Sequence, residues 1–242
     1  MKLRFLIQPL FEIEKHMALV PQTALILKND GNKDIYDFLR RVDAASGKTG
    51  LALLAKGAGD ADKPLSGGYI VTLWHFHHPW THRGYLVGGS AADQVAWLFT
   101  HALNLWQNGK RGKALYQLGR ALHLVQDIFI PHHAAVTASR GHGELEQWLT
   151  GHWEPYRVAD GGYYQWETYF HDSQNRYHRV RAERPYDWID HGSHLSIGWF
   201  DAFFAGGVYD EGTFRQAAAL IIPHALRFSA GFLYRFFRAA EL

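Results

Sequence analysis

Gly119-Arg-Ala-Leu-His-Leu-Val-Gln-Asp-Ile-Phe-Ile-Pro-His-His133 sets His123 and Asp127 four residues apart in a mostly apolar run. On a helix that spacing stacks imidazole and carboxylate one turn apart on one face. Pro131 cannot continue the hydrogen-bond ladder, so the helix is expected to end there. His133 follows just past the break, where the chain can fold back toward that face. His142-Gly-Glu-Leu-Glu146 repeats the i, i+4 pairing of histidine and carboxylate. A single pair of this kind is more often a capped or solvated helix feature than a ligand set. Two pairs, an extra histidine at the break and the apolar neighbours Leu122, Val125 and Phe129 favour a metal. Buried charges need partners, and one cation can partner a whole cluster.

Composition narrows the chemistry. The 242 residues suit one large domain or two small ones. With no cysteine there is no disulfide, no thiolate zinc site and no cysteine nucleophile, so any zinc must be held by His, Asp and Glu. The net charge of +2, from 25 basic and 23 acidic residues, argues against a general nucleic-acid binder. The 9 Trp, 12 Tyr and 15 Phe suggest an aromatic core, with a membrane-surface habit as the sharper alternative. No run reaches the roughly 18 apolar residues of a spanning helix. Met1 to Phe11 starts like a secretory signal, but Gln8 and Pro9 break its apolar part and no small-residue cleavage site precedes Glu12, Glu14 and Lys15. It is read as part of the mature fold, which favours a cytoplasmic protein.

Periodicity gives about eight helices and almost no strand. Helices are expected over 16–29, buried all round despite Pro21, over 34–45, with Ile35, Phe38, Leu39 and Val42 inward, and over 50–56. A turn-rich loop over 57–68 leads to Thr72-Leu-Trp-His-Phe-His-His-Pro-Trp-Thr-His82, an ordered histidine loop. Ser90 is the N-cap of a helix whose core face is Val95, Leu98, Phe99, Ala102, Leu103 and Trp106. The central helix, 112–130, follows after a short turn and should pack antiparallel to it. Its core stripe is Leu115, Leu118, Leu122 and Val125, beside a second stripe of Tyr116, Gly119, His123 and Asp127. Further helices are expected over 143–156, 187–204 and 213–240, the last kinked near Pro223. Gly161-Gly-Tyr-Tyr164 marks a turn or short hairpin. No repeat or linker divides the chain, so the expectation is an all-α fold, one compact multi-helix domain over 1–242. Nucleophile-elbow, phosphate-loop and His-Glu-x-x-His motifs are absent.

These motifs, in this order, resemble the bacterial zinc-dependent phospholipases C, whose fold is shared with the single-strand-specific zinc nucleases. The resemblance rests on His123-x3-Asp127-x5-His133, His142-x3-Glu146, the loop His75-Phe-His-His-Pro79, Asp62 five residues after Gly57, and His16. Asp187-Trp-Ile and Ser229-Ala-Gly-Phe-Leu add to it. It implies that Asp62, His75, His123 and Asp127 hold one zinc, that His133, His142 and Glu146 hold a second, and that Asp127 bridges to a third bound by His16. It also implies phosphodiester hydrolysis of a phospholipid by a metal-activated water, oriented or deprotonated by Asp62, in a monomer that touches membrane surfaces transiently and has no stable nucleic-acid partner.

Three departures from the family pattern stand out. Met1-Lys2 replaces an N-terminal tryptophan that completes the third site, so two tight zinc ions and a weaker third are expected unless the Met1 amino group substitutes. Lys63 and Thr72 fall where choline-binding aromatics are expected. His78 replaces an aspartate in the histidine loop. A zinc nuclease-like phosphodiesterase, and a zinc-stabilised binding protein without activity, remain the alternatives.

Overall fold

The computed structural model describes residues 10–63, 74–85 and 89–242, with side chains from His16 onward. The expectations for Met1, for the Gln8-Pro9 break and for Thr72 lie outside the described residues. The described chain is mostly helical, in the order α1 (Leu10–Asn29), α2 (Lys33–Arg40), α3 (Gly50–Asp60), α4 (Ala91–Gln107), α5 (Arg111–Asp127), α6 (Pro131–Ala134), α7 (His142–His152), α8 (Pro185–Phe203) and α9 (Glu211–Ala239). Two antiparallel hairpins are added, β1 (Val42–Asp43) with β2 (Lys48–Thr49), and β3 (Glu167–His171) with β4 (Tyr177–Arg181). In the second, Glu167 pairs with Arg181 and His171 with Tyr177.

α5 is the hub, packed against α3, α4, α8 and α9. Leu115, Leu118, Leu122 and Val125 are buried, as their spacing predicts. α4 begins where expected: the Ser90 hydroxyl accepts the Asp93 N–H, and the Asp93 carboxylate accepts the Ser90 N–H, a reciprocal cap. Aromatic residues go mostly to the core, where Trp188, Phe129, Phe204, Phe228, Phe232, Phe236 and Phe237 are fully buried. α9 is long and apolar enough to span a membrane by length and composition, but two-thirds of its apolar window is buried in the protein.

The structure corrects several boundaries. α1 is buried on one side only: Met17 is exposed, and so is Pro21, which leaves its missing hydrogen bond on the solvent side. α2 stops at Arg40, and Val42 is an exposed strand residue rather than a core one. Residues 57–60 continue α3 instead of opening a loop. α5 ends at Asp127, and Pro131 opens the short α6, where its lack of an N–H costs nothing. The hairpin between 157 and 185 lies downstream of Gly161–Tyr164. Gly161 itself takes φ +77, and its N–H donates to Asp30.

Candidate metal centre

His16 of α1, Asp62 just after α3, His75, His123 and Asp127 of α5, His133 of α6, and His142 and Glu146 of α7 converge in the interior. Seven of the eight are buried and His142 is partly so. Their donor atoms form three groups, each within 4.8 Å: Asp62 with His75 and His123, His16 with His123 and Asp127, and His133 with His142 and Glu146. Each group could hold a metal ion.

Four imidazoles share one orientation. The Nδ1 of His123 bonds the Ala58 carbonyl at 3.0 Å, and that of His16 bonds Gln126 Oε1 at 2.9 Å. The Nδ1 atoms of His75 and His133 reach Asp127 Oδ2 at 2.9 and 2.7 Å. Fixing Nδ1 leaves Nε2 aimed inward: His123 Nε2 stands 3.3 Å and His75 Nε2 3.6 Å from Asp62 Oδ1, and His16 Nε2 stands 3.7 Å from Asp127 Oδ1. His133 Nε2 faces Glu146 at 3.7 Å and His142 Nε2 at 2.9 Å. An imidazole held at one nitrogen by a carbonyl or carboxylate, with the other nitrogen presented, is the arrangement of a metal-ligating histidine.

The donors fit zinc on a second count. His75 Nε2 and His123 Nε2 are buried and lack a hydrogen-bond partner, though both face the same carboxylate oxygen. Buried nitrogens left in that position lose hydrogen-bond energy, and a cation among them restores it. Neutral imidazole and carboxylate without sulfur are also ligands zinc accepts.

Electrostatics keep the carboxylates charged. Burial alone would raise Asp62, but the His123, His75 and His16 rings hold it below the usual carboxylate range. Asp127 is likewise raised by burial, yet His133 and His75 pull it well below that range. Burial would lower His75, but the Asp127 hydrogen bond and charge push it up to about 9. In the metal-free protein, a proton on His75 therefore takes part of the place of a cation.

The resemblance joins Asp127 both to Asp62, His75 and His123 and to His16. Asp127 Oδ2 is engaged by the Nδ1 atoms of His75 and His133, and Asp127 is grouped with His16 and His123 rather than with Asp62. Sequence reasoning misses the anchors Ala58 and Gln126. Gln126 is a polar residue beside Asp127 in an apolar run, which is the one signal available; a backbone carbonyl such as that of Ala58 gives none. His132, between the helix break and His133, bonds the Arg140 carbonyl at 3.0 Å and packs on Phe204, and burial lowers it to about 4. His78 accepts the N–H groups of Trp80 and Thr81 at 3.3 and 3.4 Å, a turn-capping task open to an aspartate as well. Lys63 pairs with Asp60 at 2.7 Å.

No protein-family model matches the sequence, and no curated protein matches it. Solved structures do. The chain superposes on the alpha-toxin of Clostridium absonum with a TM-score of 0.73 at 22% identity, over 93% of this chain and 63% of the toxin. On an alpha-toxin of Clostridium perfringens from an avian strain the TM-score is 0.72 at 19% identity, over 94% of this chain and 64% of the toxin. The chain thus spans less than two-thirds of the length of either toxin, and over that length it has their fold.

Proposed function

We propose that this chain is a zinc-dependent phosphodiesterase of the phospholipase C type. It would hydrolyse a phospholipid to diacylglycerol and a phosphorylated headgroup. The observation that carries the reading is the set His16, His75, His123 and His133, each tied at Nδ1 and presenting Nε2 to a carboxylate. The motif resemblance and the likeness in fold to two alpha-toxins support it.

Asp62, His75 and His123 are one zinc-holding set, His133, His142 and Glu146 a second, and His16 with Asp127 and His123 a third. Bound there, zinc supplies Lewis-acid charge for the phosphoryl oxygens and lowers the pKa of water toward about 7. Asp62 is the proton acceptor. Its Oδ1 is turned to His123 and His75, so Oδ2 is the atom assigned to receive the proton of the attacking water. Asp127 fixes the His75 and His133 rings. Hydrolysis adds water across the phosphorus–glycerol oxygen bond: the hydroxyl goes to phosphorus and the proton to the glycerol oxygen.

The test is turnover by protein stripped with chelator and reloaded with zinc. The substrates are vesicles of phosphatidylcholine or phosphatidylethanolamine, a chromogenic phosphodiester and single-stranded DNA. Zinc-dependent lipid turnover is expected. DNA cleavage without lipid turnover would make the chain a nuclease. Full zinc loading with no turnover of any substrate would make it a zinc-stabilised binding protein.

A further inference from the structure

A fourth donor group lies outside this centre. Asp190, within α8, places Oδ1 3.0 Å from His77 Nε2 and 3.2 Å from His82 Nδ1. The three donor atoms lie within 4.8 Å of one another. His77 and Asp190 are buried, whereas the His82 side chain is 44% exposed. Two donors at zinc distance from one tetrahedral ion stand roughly 3.3 Å apart. The separations at Asp190 are close to that, and they match His123 to Asp62 at 3.3 Å and His142 to Glu146 at 3.2 Å in the main centre.

Two imidazoles hydrogen-bonded to a carboxylate would give similar distances, but the loop shows more than that. His82 holds φ +55, a left-handed conformation that a residue with a β-carbon adopts only at a cost, and its ring is still turned to Asp190. The loop is curled to bring this about: the His82 N–H donates to the His78 carbonyl at 2.8 Å, and the His78 N–H to the Arg83 carbonyl at 2.9 Å. Tyr186 covers one side, its ring 5.5 Å from that of His77. The exposure of His82 leaves an open side where water can complete a four-coordinate shell.

We propose that His77, His82 and Asp190 form a further zinc site, a structural clamp that pins the loop 75–83 to α8. Two imidazoles and one carboxylate suit zinc, whereas calcium and magnesium want more oxygen ligands than these residues offer. The clamp does not depend on the phospholipase reading. It has a consequence for the main centre, however: the same loop carries His75, and the His77 N–H donates to the His133 carbonyl at 3.1 Å. Closing the clamp therefore holds the backbone from which two main-centre ligands project.

The experiment is an anomalous-scattering map at the zinc edge. Crystals of the wild-type chain and of His82→Gly are used, both dialysed free of metal and reloaded with zinc, with zinc per chain counted on the same samples. Glycine is chosen because it takes the left-handed conformation without strain. A peak among His77, His82 and Asp190 is expected in the wild type. In the variant that peak should be gone, with one zinc fewer per chain and the main-centre peaks intact. A wild-type map with the main centre filled and no peak at Asp190 overturns the clamp, as does a variant that keeps the full zinc count. A peak at Asp190 with the main centre empty upholds the clamp and defeats the phospholipase reading.

Discussion

Gly57 of α3 and Gly119 of α5 meet backbone to backbone: a β-carbon on Gly57 would lie 3.0 Å from the Gly119 Cα and 2.1 Å from the Tyr116 carbonyl oxygen. One on Gly119 would stand 2.1 Å from the Leu54 carbonyl oxygen. The helix that ends beside Asp62 thus lies directly on the helix that carries His123, and side chains that short can meet only because the backbones do.

Gly119→Ala should force the two helices apart. Overpacking of this kind costs about 1–3 kcal/mol. It should also weaken zinc retention, because Asp62 and His123 separate. Denaturant midpoint and zinc per chain are the measurements; wild-type values of both would show that the helices can shift without loss.

Asp127→Asn and His16→Ala should separate the ions. Asp127 holds the Nδ1 atoms of His75 and His133 and faces His16, so its loss should weaken zinc by about 10–100-fold or more and remove activity with it. Among the described residues His16 joins a single donor group, so His16→Ala should lose a single ion, the one that leaves first on dialysis of the wild type. Unchanged zinc stoichiometry in both variants would refute the ligand assignment.

Acid should destabilise the metal-free protein well above the carboxylate range. Burial pushes His191 down to about 4 and His194 to about 3. The unfolded chain takes up protons near pH 6.5 while these rings in the native protein do not. Their contribution is therefore complete above about pH 6.5 and is lost as pH falls from there toward about 4 for His191 and about 3 for His194, each tenfold difference in proton affinity between the two states being worth about 1.4 kcal/mol. His194 stacks on Phe170 at 4.3 Å, so His194→Phe keeps an aromatic ring there and removes the proton site. Stability measured from about pH 7 to about pH 4 should fall less steeply in that variant; an identical slope would show that His194 does not contribute.

Asp30 fastens the segment after α7 to the end of α1. Its carboxylate accepts the Gly161 and Gly162 N–H groups at 3.0 and 2.8 Å and the Tyr164 hydroxyl at 2.6 Å. Asp30→Ala should leave the core intact and open this segment to proteases. Limited proteolysis with mapped cleavage sites is the check, and no new cleavage between 157 and 166 would contradict it.

The parts of the molecule legible in the sequence are those set by local spacing. The apolar stripe of α5, the Ser90 cap and the i, i+4 pairs His123/Asp127 and His142/Glu146 all depend on residues within a turn or two of each other. Gly57 misleads because glycine marks turns in a sequence, whereas here it permits close helix packing, a matter of what lies opposite. In the strands Glu167–His171 and Tyr177–Arg181 the outward face carries Tyr169 and Tyr177 beside Glu167, Arg179 and Arg181, while Phe170 lies on the inward one, and aromatic residues on both faces hide the alternation. Asp190 stands four residues before His194, a local pair of the same kind, yet the rings it engages are those of His77 and His82, and His77 is 113 residues away.

The anchored donors also bear on how long the folded state lasts. They come from α1, the residues just beyond α3, the loop before α4, and the consecutive helices α5, α6 and α7. An ion held among them closes several long loops at once, and unfolding must first release it. In metal-depleted surroundings, the lifetime of the protein would then be set by the slow departure of its ions rather than by the strength of its apolar core.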